Sequence, residues 1–315
     1  MSSAALSFAD VSRSFGETRA LAGLTFEVAT GEMFGLIGPD GAGKTTAIRI
    51  ACGLLRPERG TVRVLGQDPV REHRAVTASL GYLSQRFSLY GDLTIDENIA
   101  FFAEIHGLRG YRETRDRLLQ MTRLTQFRSR RADQLSGGMK QKLALACTLV
   151  HAPRLLLLDE PTTGVDPVSR REFWKLLSEF LAEGLTIVMA TPYLDEAERC
   201  GRVALLHGGG LLALDAPAVL QQAFGPLIEV SVGAGRPPLD VLAAVPGVRD
   251  VQVFGDRAHV RLDDRPVPDG MAAIEAALAA AGAAGVATRK VGATLEDVFI
   301  DLIGAETRSA PPSHG

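Results

Sequence analysis

Nine consecutive residues constrain this chain more than any others: Gly38-Pro39-Asp40-Gly41-Ala42-Gly43-Lys44-Thr45-Thr46. They fit G-x-x-x-x-G-K-[ST], the spacing of a phosphate-binding loop. The flanks agree with that reading. Met33 to Ile37 ahead of the loop is short and apolar and reads as a buried strand, and Thr45 to Ile50 behind it reads as the first turns of a helix. The glycines let the backbone curl until successive N–H groups face one hollow, and at a helix N-terminus such a hollow suits a polyphosphate. There Lys44 would reach the β- and γ-phosphates, and the Thr45 hydroxyl would be a Mg²⁺ ligand.

Other stretches supply what a phosphate loop needs around it. Leu155 to Leu158 is a continuous apolar run, the mark of a parallel strand buried on both faces, and it ends in Asp159-Glu160. Two acids at the carboxyl end of such a strand lie where doubly wound sheets place ligands. Asp159 would hold Mg²⁺ and Glu160 would polarise an attacking water. Leu80 to Gln85 reads as another strand, ending on Gln85. Ser136-Gly137-Gly138, opening a helix, makes a second phosphate-binding corner, a weak signal by itself. Phe15 lies in a turn between the short strands Leu6 to Asp10 and Leu24 to Val28; it offers an adenine ring a flat apolar face, or is an ordinary core aromatic.

Between these α/β halves the pattern turns helical. Thr94 and Glu97 have the spacing of a capping box, and Ile95, Ile99, Phe102, Ile105 and Leu108 follow as one apolar stripe. Leu118, Leu119, Met121 and Leu124 belong to a second helix. The insert spans about residues 86–145. Val203 to Leu206 and Leu211 to Leu214 form a hairpin, and the first domain, residues 1–223, closes near Ala223.

The remaining third follows the order β-α-β-β-α-β, which indicates a small ferredoxin-like α+β domain over residues 227–304. It carries no catalytic constellation; His259 stands in a strand as a structural residue. Residues 305–315, with Pro311 and Pro312 and no apolar pattern, are expected to be disordered. A net charge of −3 argues against a dedicated nucleic-acid binder. Cys52, Cys147 and Cys200 are scattered, which reads as buried thiols in a reducing compartment. No window of eighteen apolar residues occurs, and no signal peptide is expected, so any membrane role would come through a partner.

Taken in order, the motifs resemble those of the ATP-binding subunits of ABC transporters over about Leu6 to Leu220. They are Phe15 of the adenine loop, GPDGAGKTT at 38–46, Gln85 of the lever loop, LSGGMKQK at 135–142, LLLLDEP at 155–161 and TTGVDP at 162–167. The resemblance implies a P-loop cassette with a RecA-like core, a helical subdomain and an antiparallel β subdomain. It also implies ATP and Mg²⁺ as ligands, with Thr45, Gln85 and Asp159 at the metal. Glu160 is then the general base, assisted by Gln85 and Lys44. Two cassettes would stack head to tail, with Ser136-Gly137-Gly138 of one facing the nucleotide of the other and Asp166 linking the sites. A separate transmembrane permease would hold the pair at the cytoplasmic face of the membrane. The run Ala293 to Phe299 is similar to the tails of cassettes of the antibiotic-resistance and multidrug-export type (ABC-2 class), which implies export; the tail domain itself is read as a dimer contact or a regulatory element.

One position departs from the family pattern. Pro192 stands where the family usually has a histidine that contacts the γ-phosphate. Proline has neither a side-chain donor nor an N–H, so an impaired site, paired with a second cassette in a heterodimer more readily than in a homodimer, is expected. A soluble cassette ATPase acting on ribosomes or DNA, or a nucleotide-gated subunit without useful turnover, are the competing readings.

Overall fold

The computed structural model describes residues 4–85, 89–263 and 265–309. Contacts divide the chain into two units, Met1–Ala216 and Pro217–Gly315.

In the first unit, β1 (Ala4–Phe15) and β2 (Thr18–Ala29) are followed by β3 (Met33–Ile37), α1 (Lys44–Ala51), β4 (Arg59–Val64), α2 (His73–Thr77) and β5 (Leu80–Leu83). Three helices then intervene: α3 (Ile95–Ile105), α4 (Arg112–Met121) and α5 (Gly137–Leu149). The unit resumes with β6 (Leu155–Asp159), α6 (Pro167–Ala182), β7 (Thr186–Thr191), α7 (Leu194–Ala197), β8 (Arg202–His207) and β9 (Gly210–Asp215). A six-stranded sheet runs β5-β6-β7-β3-β8-β9, parallel except for β9, which closes the edge as the antiparallel half of a hairpin. Every residue of β3, β6 and β7 is buried, as apolar strands covered on both faces must be. A second, antiparallel sheet has the order β2-β1-β4. Phe8, Phe26 and Phe34 stack in succession, with centroids 4.7 and 5.4 Å apart, and join it to β3.

The sequence located these strands but shortened two of them. β1 and β2 have twelve residues each, and register shifts carry the pairing past Asp10 and Gly23. Phe15 is the last residue of β1 and not part of a turn. Leu124 is buried but lies beyond the end of α4. In the helical insert, the first residues, 86–88, lie outside the described residues. Its α3 begins with the expected box: the Glu97 N–H donates to the Thr94 hydroxyl at 3.2 Å, and the Thr94 N–H donates to the Glu97 carboxylate at 2.8 Å. All three cysteines are buried, and Cys52 caps the C-terminus of α1. Burial pushes the Cys52 and Cys200 thiols up to about 12.

The second unit comprises α8 (Pro217–Phe224), β10 (Pro226–Ser231), α9 (Leu239–Ala243), β11 (Val248–Phe254), β12 (Arg257–Leu262), α10 (Val267–Ala280), β13 (Ala287–Gly292) and α11 (Leu295–Ser309). Its sheet order, β11-β12-β10-β13 with every pair antiparallel, is that of a ferredoxin-like domain. Ile228, Val230, Val260, Ile274 and Leu278 form the core between sheet and helices. His259 packs its Nδ1 3.2 Å from Asp297 Oδ1. Two boundaries differ from the sequence reading. The division falls after Ala216, not near Ala223, because the intervening residues form α8. The last helix continues to Ser309, which replaces the expected disorder for 305–309; residues 310–315 lie outside the described residues.

Candidate functional site

A cavity of about 540 Å³ opens over the turn from β3 into α1. Residues 40–46 form its floor, and Gln85, Glu160 and Pro192 stand around it. The loop is packed too tightly for side chains at two of its glycines. A Cβ on Gly38 would come within 2.3 Å of the Leu206 carbonyl oxygen. Gly43, at φ 97°, is the N-cap of α1, and a Cβ there would come within 2.3 Å of the Ala20 carbonyl oxygen. The loop is thereby pressed against β2 and β8.

Lys44 is 3% exposed. Its ammonium donates to the carbonyls of Gly38 at 2.7 Å and Pro39 at 3.0 Å and lies 3.4 Å from Glu160 Oε1. The Thr45 hydroxyl donates to Asp159 Oδ1 at 2.9 Å, and the Tyr82 hydroxyl reaches Asp159 Oδ2 at 3.5 Å. Burial raises the Asp159 carboxyl above the ordinary range; the Thr45 hydroxyl opposes that shift, and the neighbouring charge of Glu160 reinforces it. Burial, followed by the charge of Asp159, pushes Tyr82 up to about 12. A divalent cation beside Asp159 would relieve this by favouring the ionised carboxylate. The donor set there, a hydroxyl and carboxylate oxygens, suits a hard ion such as Mg²⁺. Among the described residues no group of three or more His, Cys, Asp and Glu side chains could hold a metal by itself.

Glu160 sits in the left-handed region at φ 49°, unusual for a residue with a side chain. Its N–H donates to the Ala190 carbonyl at 2.9 Å, and Gln85 Nε2 donates to its Oε2 at 3.0 Å. The structure therefore brings Lys44, Thr45, Gln85, Asp159 and Glu160 together and puts Pro192 beside the same cavity.

Three other expected contributors stand elsewhere. Phe15 does not line the cavity; the residue is 47% exposed, with the Arg13 guanidinium 5.0 Å from its ring centroid. Ser136 is the N-cap of α5 and accepts the Met139 N–H at 3.3 Å, while a Cβ on Gly138 would run into Ser169 on α6. Asp166 caps α6, accepting N–H bonds from Val168 at 3.1 Å and Ser169 at 3.0 Å. Neither Ser136, Gly137 and Gly138 nor Asp166 lines the cavity of their own chain. Thr18, Ala20, Thr163 and Tyr193 do; of these only Thr163 falls in a motif, TTGVDP, which gave it no part in the site. Only the step from Pro192 along the chain could have drawn attention to Tyr193.

Residues 21–163 match the ABC transporter family. The chain is 41% identical over 298 residues to the probable multidrug ABC transporter ATP-binding protein YbhF of Escherichia coli (strain K12), which covers 93% of this chain and 50% of that protein. The chain thus spans half the length of YbhF. It is 36% identical over 310 residues to the Nod factor export ATP-binding protein I of Rhizobium sp. (strain N33), covering 97% of this chain and 99% of the relative. A solved ATP-binding subunit of an ABC transporter superposes with a TM-score of 0.64 at 32% identity, over 70% of this chain and 93% of its own.

Proposed function

The chain belongs to the ATP-binding subunits of ABC transporters, and from that premise we propose that it binds and hydrolyses ATP to power export through a separate membrane permease. The observation that carries the proposal is the meeting, in one cavity, of the phosphate loop with a carboxylate held between Lys44 and Gln85. The loop N–H groups and Lys44 receive the phosphates. Thr45 and Asp159, with Gln85, would hold a Mg²⁺ ion, which would supply charge neutralisation for the phosphates. Glu160, steered by Gln85, takes a proton from water as its oxygen bonds to the γ-phosphorus. The bond from that phosphorus to the β,γ-bridging oxygen breaks, leaving ADP and phosphate.

Ser136 and Gly137 are exposed at the start of α5, away from the chain's own cavity. We assign them, with Gly138, to the nucleotide of a second cassette stacked head to tail, and Asp166 to the contact between the two sites. Phe15, exposed at the end of β1, is assigned to the adenine ring. No helix among the described residues is long and apolar enough to cross a membrane. The export direction follows the function named for the Nod factor export protein. On this reading we assign the subunit to a permease at the cytoplasmic membrane face.

Pro192 favours one refinement. A cavity wall without a donor at this point lacks one preorganised polar group for the transition state, a loss of about 10²–10³ in rate. The subunit is then the slower half of a heterodimer whose other cassette carries a histidine there. The test of the main proposal is phosphate release by the purified full chain, together with affinity capture of its membrane partner. Glu160→Gln should retain ATP binding and lose at least about 10² in turnover, and a multi-span protein should co-purify. Unchanged turnover in Glu160→Gln, or capture of ribosomes or DNA in place of a membrane protein, would overturn it.

A further inference from the structure

The Glu196 carboxyl, on α7, is fully buried and plays no part in the chemistry above. Four groups converge on it. The Thr162 hydroxyl donates to Oε1 at 2.5 Å and the Thr191 hydroxyl to Oε2 at 2.7 Å. The Trp174 indole N–H reaches Oε1 at 3.5 Å, and Arg170 Nε lies 3.9 Å away. Indole and guanidinium can only donate. Thr191 Oγ1 already accepts the Tyr193 N–H at 3.1 Å, which leaves its own proton for Glu196.

These partners lie on three segments, two of which border the cavity. Thr162 follows Glu160 by two residues, Thr191 precedes Pro192, and Trp174 and Arg170 belong to α6, the helix capped by Asp166. Glu160 is held at a positive φ that persists only where the surroundings over-determine it. One restraint is the bond from its N–H to Ala190, next to Thr191. Pro192 has no N–H to offer, so the anchoring of this turn falls to its neighbours. Enclosing a carboxyl costs desolvation that only such bonds offset.

We infer that Glu196 is a positioning residue: its carboxyl clamps the loop after β6 to the end of β7 and thereby fixes the direction of Glu160 and the wall formed by Thr163, Pro192 and Tyr193. The inference rests on the hydrolytic reading of this cavity. Glu196→Gln keeps the shape and replaces one accepting oxygen with a donating amide. Thr162→Val removes one donor at nearly constant volume, and covers the case in which the first variant folds poorly.

The experiment compares both variants with the parent full chain in ATP turnover, in affinity for AMP-PNP with Mg²⁺, and in amide hydrogen exchange. Turnover should fall about 10- to 100-fold while AMP-PNP affinity stays within about threefold. Exchange should quicken at 160–163 and 190–193 and stay as in the parent elsewhere. A merely structural role would loosen the whole unit and weaken affinity along with turnover, and that result overturns the inference. So does turnover within about twofold of the parent in both variants. If the parent itself shows no turnover, the hydrolytic reading fails, and exchange confined to the two segments, or its absence, decides the clamp.

Discussion

Two glycines of the phosphate loop share a backbone conformation and differ in their surroundings, which separates two effects usually measured together. Gly41 has φ 80° and nothing within 4 Å of an added Cβ; Gly43 has φ 97°, with the Ala20 carbonyl oxygen at 2.3 Å and Leu21 Cδ2 at 2.7 Å. Left-handed backbone costs an L-residue roughly 1–2 kcal/mol, and that is the full expected penalty of Gly41→Ala. Gly43→Ala adds overpacking against a strand backbone that cannot swing aside, about 1–3 kcal/mol more. For a unit the size of Met1–Ala216, each kcal/mol moves Tm by about 2–4 °C. Gly41→Ala should therefore lower Tm by about 2–8 °C, and Gly43→Ala by about 4–20 °C. Scanning calorimetry of both variants measures this, and titration with ATP should show the larger loss of affinity for Gly43→Ala, whose relief moves the loop away from β2. Equal losses, or a larger loss at Gly41, would refute the claim that β2 presses on this loop.

Pro192→His restores a side-chain donor to the cavity wall and should raise turnover of the purified chain by about 10²; an unchanged rate at ordinary speed removes the impaired-site proposal. Bonds led by the Ser169 N–H hold the Asp166 carboxyl below the usual carboxylate range. A depressed folded value means the cap's contribution is complete above the unfolded pKa of about 3.9 and is lost as pH falls through the lower folded value. Asp166→Asn, whose amide caps α6 at any pH, should flatten that acid limb in urea midpoints; an unaltered limb would assign it to other carboxylates.

The site was legible where chemistry is carried by consecutive residues. A phosphate loop makes its hollow from its own backbone, and the apolar run ahead of Asp159 and Glu160 admits only a buried strand, so spacing alone brought Lys44, Asp159 and Glu160 together. Thr18, Ala20 and Thr163 reach the cavity through sheet order and loop course, which no local pattern encodes. Glu196 was equally invisible: an acid in a short helix looks solvated until Thr162, Thr191 and Trp174, widely separated in sequence, are folded onto it. The boundary after Ala216 was misplaced for a related reason, since Ala223 to Pro226 looks like a linker although α8 precedes it. In the tail, alternating strands and an alanine-rich helix are local patterns that by themselves point to the antiparallel order β11-β12-β10-β13.

The enclosed thiols give this molecule a built-in clock. Cys52 ends the helix that rises from the phosphate loop, and its sulfur is both hidden and hard to ionise at neutral pH. Alkylation at this position requires an opening that exposes the sulfur. A maleimide quench followed by mass spectrometry can therefore time the opening, with and without nucleotide, in the native chain and with no label to introduce.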